Sequence, residues 1–340
     1  MEKTIKKLSA SRIKTLKSCS WSYWCNYHLK LPQASNSGAS RGTICHAVFE
    51  FLLKKGRKKK YNRIVKAGDI VAEPSINRYV KIWVKKFKLE KADYDMINEM
   101  VLVGLNNDFF VKGMKLLDPE YEFNLVNEKP HYSVRGFIDK MAVNKKDKTV
   151  KVIDYKSSKG KFEGEELDSN IQAMIYSVVA KKVYPGYRCV VDFVFLRFPK
   201  EPVQEIEFDE TVLEGFEIYL KSVHNKINDF KYKDAIENFA AYVKPKGGFN
   251  GKLLCGFAKE PGQLKKDGTP MWHCPYKFAF DYYRVTEIET GVVKMYQEDD
   301  DFINNMTASD FVGDKNSKYK FQKLEYGGCP AHRKTDLTNF

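Results

Sequence analysis

The sequence predicts an α/β (α+β) fold, a central mixed β-sheet flanked by helices, with a helical insertion and an irregular C-terminal extension. Three observations predict it. Period-two alternation runs through residues 120–157 and marks strands. A helical repeat then places Ile171, Ile175, Val178 and Val179 on one apolar side. Residues 189–198 are nearly continuously apolar, as in a strand buried on both faces. Strand, helix, strand in that order predicts a right-handed crossover within the sheet.

Taken in order, Ser9 or Ser11 is placed to cap a first helix, with Ile13, Leu16, Trp24 and Tyr27 near helical spacing. Trp21, Tyr23, Trp24 and Tyr27 lie amid lysines and read either as base-stacking rings or as core. Residues 33–40, rich in Ser, Gly and Asn, read as a loop. A helix follows over 41–53, with Ile44, Val48, Phe51 and Leu52 on one side. Residues 61–118 read as a series of helices, an insertion or cap beside the core. Strands are expected over 121–126, 132–139 and 150–155, with a polar turn at 144–148. Gly160 to Asp168 is a polar connection, residues 203–208 form an edge-like strand, and a long amphipathic helix spans about 209–229. Two domains are expected: a core over 1–240 that includes the insertion at about 61–118, and an extension over 241–340 packing on it.

Hydrophobic residues at 43% and charged residues at 30% exclude a disordered chain. The absence of an eighteen-residue apolar run and of a signal-like N-terminus leads us to expect no membrane association and a cytoplasmic location. Seven cysteines, an odd number, point to thiols or metal ligands over disulfides. The net charge of +14 favours a polyanionic partner, with nucleic acid the commonest. Part of that excess is local, in the block Lys54 to Lys60 with Arg63 and Lys66. The acidic run Glu298 to Asp301 reads as a solvated loop or a helix start.

Candidate chemistry centres on one strand. Asp154 and Lys156 lie two apart and so share a face. Asp139 stands fifteen residues earlier. Two carboxylates can hold a hard cation through oxygen, and a lysine can orient or help deprotonate an attacking water. The same Asp-x-Lys pair also fits a surface ion pair of little energetic weight. His46 and Glu50, and likewise Gln172 and Tyr176, are spaced i and i+4 and share helix faces.

In combination these pieces resemble the PD-(D/E)XK nuclease superfamily, in its RecB-like branch that includes CRISPR-adaptation exonucleases. The resemblance spans roughly residues 9–200. It comprises Ser9, Ser11, Leu16, Cys19, Tyr23 or Tyr27 and Leu31-Pro32; Arg41, Gly42, His46 and Glu50; Gly136, Ile138 and Asp139; Asp154-Tyr155-Lys156-Ser157; and Gln172 with Tyr176. It implies a restriction-endonuclease-like core in which His46, Asp139, Asp154 and the Tyr155 carbonyl ligate a divalent metal. Lys156 would be the catalytic lysine, and Gln172 and Tyr176 would organise the site or touch DNA. An upstream acid is also usual, and Glu122 and Glu128 are both available. Oxygen ligands suit magnesium, and a site including His46 suits manganese; whether one or two ions bind is left open.

Relatives in that branch often hold a [4Fe–4S] cluster on one N-terminal and three C-terminal cysteines, here Cys19 with Cys255, Cys274 and Cys329. The tight cysteine spacing of those tails is absent, since the tail cysteines lie 19 and 55 residues apart. Zinc on Cys329 and His332 with Cys255 or Cys274, or simple buried thiols, are the alternatives. The expected function is a metal-dependent DNA nuclease, an exonuclease acting on DNA ends or single strands in replication, recombination or repair. The alternative is a noncatalytic nucleic-acid-binding recombination accessory protein that retains a nuclease fold. The sequence leaves RNA open as a substrate.

Overall fold

The structure is a computed structural model that describes residues 5–33, 36–237, 273–306 and 317–332, with positions 263, 264, 266, 268, 271 and 311. In chain order the elements begin with α1 (Ala10–Ser18), α2 (Ser20–Trp24) and a π-helical turn (Cys25–Leu29). Helices α3 (Ser37–Leu53), α4 (Lys58–Ala67), α5 (Pro74–Lys86) and α6 (Lys91–Asn106) follow. Next come β1 (Lys115–Leu116), β2 (Tyr121–Asn127), β3 (Tyr132–Ile138), β4 (Lys140–Asn144) and β5 (Thr149–Lys156). After these come α7 (Glu165–Asp168), α8 (Ile171–Val183), β6 (Arg188–Phe195), β7 (Val203–Ile206), α9 (Glu210–Asp229) and α10 (Tyr232–Glu237). The last elements are β8 (Phe280–Glu287), β9 (Val293–Gln297), α11 (Asp301–Asn304) and β10 (Tyr319–Tyr326). No described helix is long and apolar enough to cross a membrane.

The chain divides into two compact units, residues 1–10 with 35–228 and residues 11–34 with 229–340. The first unit holds a five-stranded mixed sheet in the order β1-β4-β5-β6-β7. Only β5 and β6 run parallel, joined through α8, and the remaining pairs are antiparallel. The apolar run expected to be a doubly buried strand is β6, which is buried at every position but its first. The stretch from 120 to 157 is not one meander. β2 and β3 pair with each other and with no other named strand, Leu8 adding a single bridge to Val134, and the chain turns at Asp139 before entering the main sheet as β4.

Helix α3 begins four residues earlier than the polar stretch suggests, because Asn36 caps it by accepting from the Ala39 amide at 2.9 Å. Its inner face carries Ile44, Val48 and Leu52, which share one core with Ile64 of α4, Ile76 and Val80 of α5, and Ile97 and Met100 of α6. Ala142, Ile153 and Val194 of the sheet belong to the same cluster. The helices read as an insertion therefore complete the sheet's hydrophobic core and do not stand beside it. Residues 107–114 leave helical geometry and lead into β1. Much of the cationic block is used internally, since Lys60 and Arg63 both bond the buried Glu73 carboxylate, at 2.6 and 2.9 Å.

In the second unit, the segment expected to be irregular contains a three-stranded antiparallel sheet, β10-β8-β9. Its strands are rich in aromatics, which favour a pleated, half-buried surface. Nearly every position of β8 is partly buried, so no clean alternation betrays the strand. Trp21 and Tyr23 are core residues: Trp21 donates to the Tyr326 hydroxyl at 2.7 Å, and the Tyr23 ring packs edge-on against Phe230. The acidic run resolves as a helix start, with Asp300 capping α11 by accepting from Phe302 N at 2.8 Å.

Candidate active site

The site is built around the C-terminal half of β5. Alternation puts Asp154 and Lys156 on one face, and Lys156 Nζ stands 2.6 Å from Asp154 Oδ2. Helix α8, capped by Asn170, presents Gln172 and Tyr176 to the same place. Gln172 Nε2 donates to Asp154 Oδ1 at 2.8 Å and to the Tyr176 hydroxyl at 2.7 Å, while Gln172 Oε1 accepts from Lys156 Nζ at 2.7 Å. The Tyr176 hydroxyl is also 2.9 Å from Asp154 Oδ1 and 3.1 Å from the Phe137 carbonyl oxygen. One oxygen of Asp154 is thus held from two sides, and the other, Oδ2, is buried and paired with the Lys156 ammonium. Burial pushes the Asp154 carboxyl up, Lys156 opposes that shift, and Asp139 adds to it.

Tyr155 lies between these two residues and faces the other way. Its ring packs against Phe49 at 4.2 Å, and its hydroxyl accepts from the fully buried Lys140 at 2.8 Å. Burial lowers Lys140 to about 8. The Tyr155 backbone serves the site directly. Its amide donates to Asp139 Oδ2 at 2.8 Å, and its carbonyl oxygen is 3.0 Å from His46 Nε2. His46 Nδ1 in turn lies 3.2 Å from Asp139 Oδ1. Burial alone would lower the His46 pKa, but the Asp139 carboxylate, helped by Asp154 and Glu120, outweighs it and raises it to about 9.

Ligand atoms of His46, Glu120 and Asp139 all lie within 4.8 Å of one another, as a metal-binding group requires. Glu120 is the residue that sequence reasoning missed. Glu122 and Glu128 lie exposed on the β2–β3 hairpin and are not in this group. Glu120 precedes β2, takes a left-handed backbone with φ of 52°, and donates its amide to the Asp139 carbonyl at 3.1 Å. A non-glycine residue in that region is uncommon and repays attention at functional sites. Burial raises its carboxyl pKa, and the neighbouring Asp139 adds to the rise. The crowded carboxylates of Glu120, Asp139 and Asp154 with the His46 imidazole are a donor set that fits a divalent cation.

His46, Asp139, Asp154, Tyr155, Lys156, Gln172 and Tyr176 are therefore brought together within the first unit. Glu50 instead pairs with Lys54 at 2.8 Å, and Arg41 pairs with Asp93. Of the cysteines named for a cluster, Cys255 lies outside the described residues. Cys19, Cys274 and Cys329 belong to the second unit and are near enough to Cys25 to influence its thiol, which burial pushes up. Cys25, expected to be an ordinary buried thiol, is thus a neighbour of the other three. Among the described residues, His46, Glu120 and Asp139 form the one group that meets the metal-binding criterion.

Comparison with known proteins follows the same line. The profile of the PD-(D/E)XK nuclease superfamily matches residues 7–244. A crystal structure from Eubacterium rectale, described provisionally as that of an exonuclease, superposes with a TM-score of 0.45 at 11% identity. The match covers 78% of this chain and 91% of that one. No curated protein matches the chain.

Proposed function

The chain belongs to the PD-(D/E)XK nuclease superfamily, and from that premise we propose that it is a divalent-metal-dependent DNA nuclease that hydrolyses phosphodiester bonds. The carrying observation is the convergence of His46, Glu120 and Asp139 beside the buried Asp154–Lys156 ion pair. His46, Glu120, Asp139 and Asp154, with the Tyr155 carbonyl, would hold magnesium or manganese. Such an ion neutralises phosphate charge, acidifies a bound water and steadies the leaving oxygen.

The chain's own residues do the positioning. Gln172 and Tyr176 fix the Asp154 carboxylate so that one oxygen stays turned to the site. Gln172 Oε1 anchors the Lys156 ammonium beside that carboxylate, leaving it donors for the attacking water or a phosphate oxygen. His46 binds a cation only as neutral imidazole, so ion binding expels its proton.

Action on ends or single strands, in replication, recombination or repair, rests on the motif order shared with the RecB-like branch. Labelled linear single-stranded DNA should be degraded in magnesium, spared in EDTA, and cut faster than a closed circle of the same sequence. Equal rates on line and circle contradict the end preference, and degradation undiminished by EDTA contradicts the metal. A soft-metal site on the cysteines of the second unit rests on the cysteine pattern of the RecB-like branch. Absorption near 400 nm from anaerobically purified protein, with iron by metal analysis, distinguishes a [4Fe–4S] cluster from zinc or free thiols.

A further inference from the structure

One aromatic near the site is exposed. Phe137 is 55% exposed on β3, two residues before Asp139. A lone exposed hydrophobe is ordinary, but this one is held in register with the proposed site. Its carbonyl oxygen lies 3.1 Å from the same Tyr176 hydroxyl that touches Asp154. Beneath the strand, Gly136 sits so close over the Phe123 ring that an added Cβ would come within 2.7 Å of it. Phe123 meets Tyr176 edge-on. The backbone that carries Phe137 is therefore clamped to the acid that the proposed chemistry uses.

The outward face of the hairpin continues from Phe137. Alternation places Arg135 on the same side, exposed and without an ion pair among the described residues. Across the pair, Glu122 faces Phe137, and Asn124 faces Arg135. Lys7 reaches over to donate to Asn124 Oδ1 at 2.9 Å. Two cations thus gather at the Arg135–Asn124 pair, one rung from the exposed ring, whose own cross-strand partner is Glu122. The repeat from Arg135 to Phe137 is about 6.6 Å, close to the span of one nucleotide in an extended strand, and the strand ends at Ile138, just before the bend that carries Asp139. Rings that stack on bases beside cations that meet phosphates are how proteins hold single strands.

We infer that the outer face of the β2–β3 hairpin is a track for single-stranded DNA, with Phe137 stacking on a base and Arg135 and Lys7 meeting phosphates. The track delivers the strand to the metal site at Asp139. This inference deepens the nuclease reading and rests on it for the identity of the ligand.

The test is binding of a fluorescein-labelled single-stranded DNA oligomer in EDTA, where hydrolysis does not intervene, followed by anisotropy. Phe137→Ala should weaken binding about tenfold, and Phe137→Trp should restore it. An oligomer of equal length lacking bases should bind the wild type and Phe137→Ala alike. Arg135→Gln should reduce the salt slope by about 0.7, the value of one contact to a single strand. Two results overturn the track: undiminished binding by Phe137→Ala, or an equal loss on the oligomer without bases. The nuclease reading is judged separately by wild-type cleavage in magnesium. Binding as described without cleavage sinks that reading and leaves the track, whereas cleavage without dependence on Phe137 sinks the track alone.

Discussion

Asp154 shows how much of the site is decided by neighbours of a single side chain. Its Oδ1 is fastened by Gln172 and Tyr176, and its Oδ2 is paired with the Lys156 ammonium. Losing the ammonium should cost more than losing the amide that anchors it. Lys156→Met is expected to slow magnesium-dependent cleavage by about 10²- to 10⁴-fold, the usual worth of proton-transfer help. Gln172→Ala should slow it by about 10- to 100-fold, as for residues that orient a metal site. A slower Gln172 variant than Lys156 variant would reverse the assigned roles. The acids of the hairpin are separated by a second measurement, manganese titration by calorimetry. Glu120→Gln should weaken binding at least about tenfold, and Glu122→Gln should leave it near wild type. The opposite ranking would restore Glu122 as the upstream acid. His46, Asp154, Lys156, Gln172 and Tyr176 sit in regular elements and Asp139 at the bend between β3 and β4, and it is their order along the chain, through the family resemblance, that makes them candidates in the sequence. Glu120 could not be read in this way, because its direction depends on a left-handed backbone that no periodicity encodes.

At the scale of elements, the seat of α3 on β5 depends on one missing atom. A Cβ at Gly42 would lie 2.7 Å from Ser157 Oγ, at the end of the strand that carries Asp154 and Lys156. Gly42→Ala should therefore destabilise the fold by about 1–3 kcal/mol through overpacking. Denaturation should show most of that loss recovered in Gly42→Ala with Ser157→Gly, and equal stability of the single and double variants would refute the contact. Within the helical layer, burial disfavours the Glu73 charge, but bonds from Lys60, Ser75 and Arg63 outweigh this and bring its pKa from 4.5 to about 2. A lowered pKa means that this stabilisation is complete above about 4.5 and is lost as pH falls toward about 2. Urea midpoints of wild type and Glu73→Gln should therefore differ at neutral pH and converge across that window. A constant gap would show that the charge is not what matters. The capping that starts α3 was hidden in a Ser/Gly/Asn-rich stretch that looked like loop, since the same residues serve both purposes.

At the scale of the whole molecule, sequence made the main sheet legible because β6 is a nearly unbroken apolar run and β5 alternates before it. It could not show that β2 and β3 leave that sheet, because alternation gives a strand its faces but not its partners. Nor could it show the sheet of the second unit, whose central strand β8 is partly buried at nearly every position. The charge of +14 acts at this scale too. Part of it is spent inside, on Glu73 and on pairs such as Lys151 with Asp192, and the remainder favours a polyanion and makes its binding salt-dependent.

The most direct test of the central claim pairs two readouts on Asp154→Ala. Wild type and variant are given the same labelled linear single-stranded DNA, with cleavage followed in magnesium and binding followed in EDTA. A metal-dependent nuclease with its site at Asp154 predicts that cleavage falls to background while affinity for the strand persists. Cleavage by Asp154→Ala at the wild-type rate would contradict the site, and with it the account built on it.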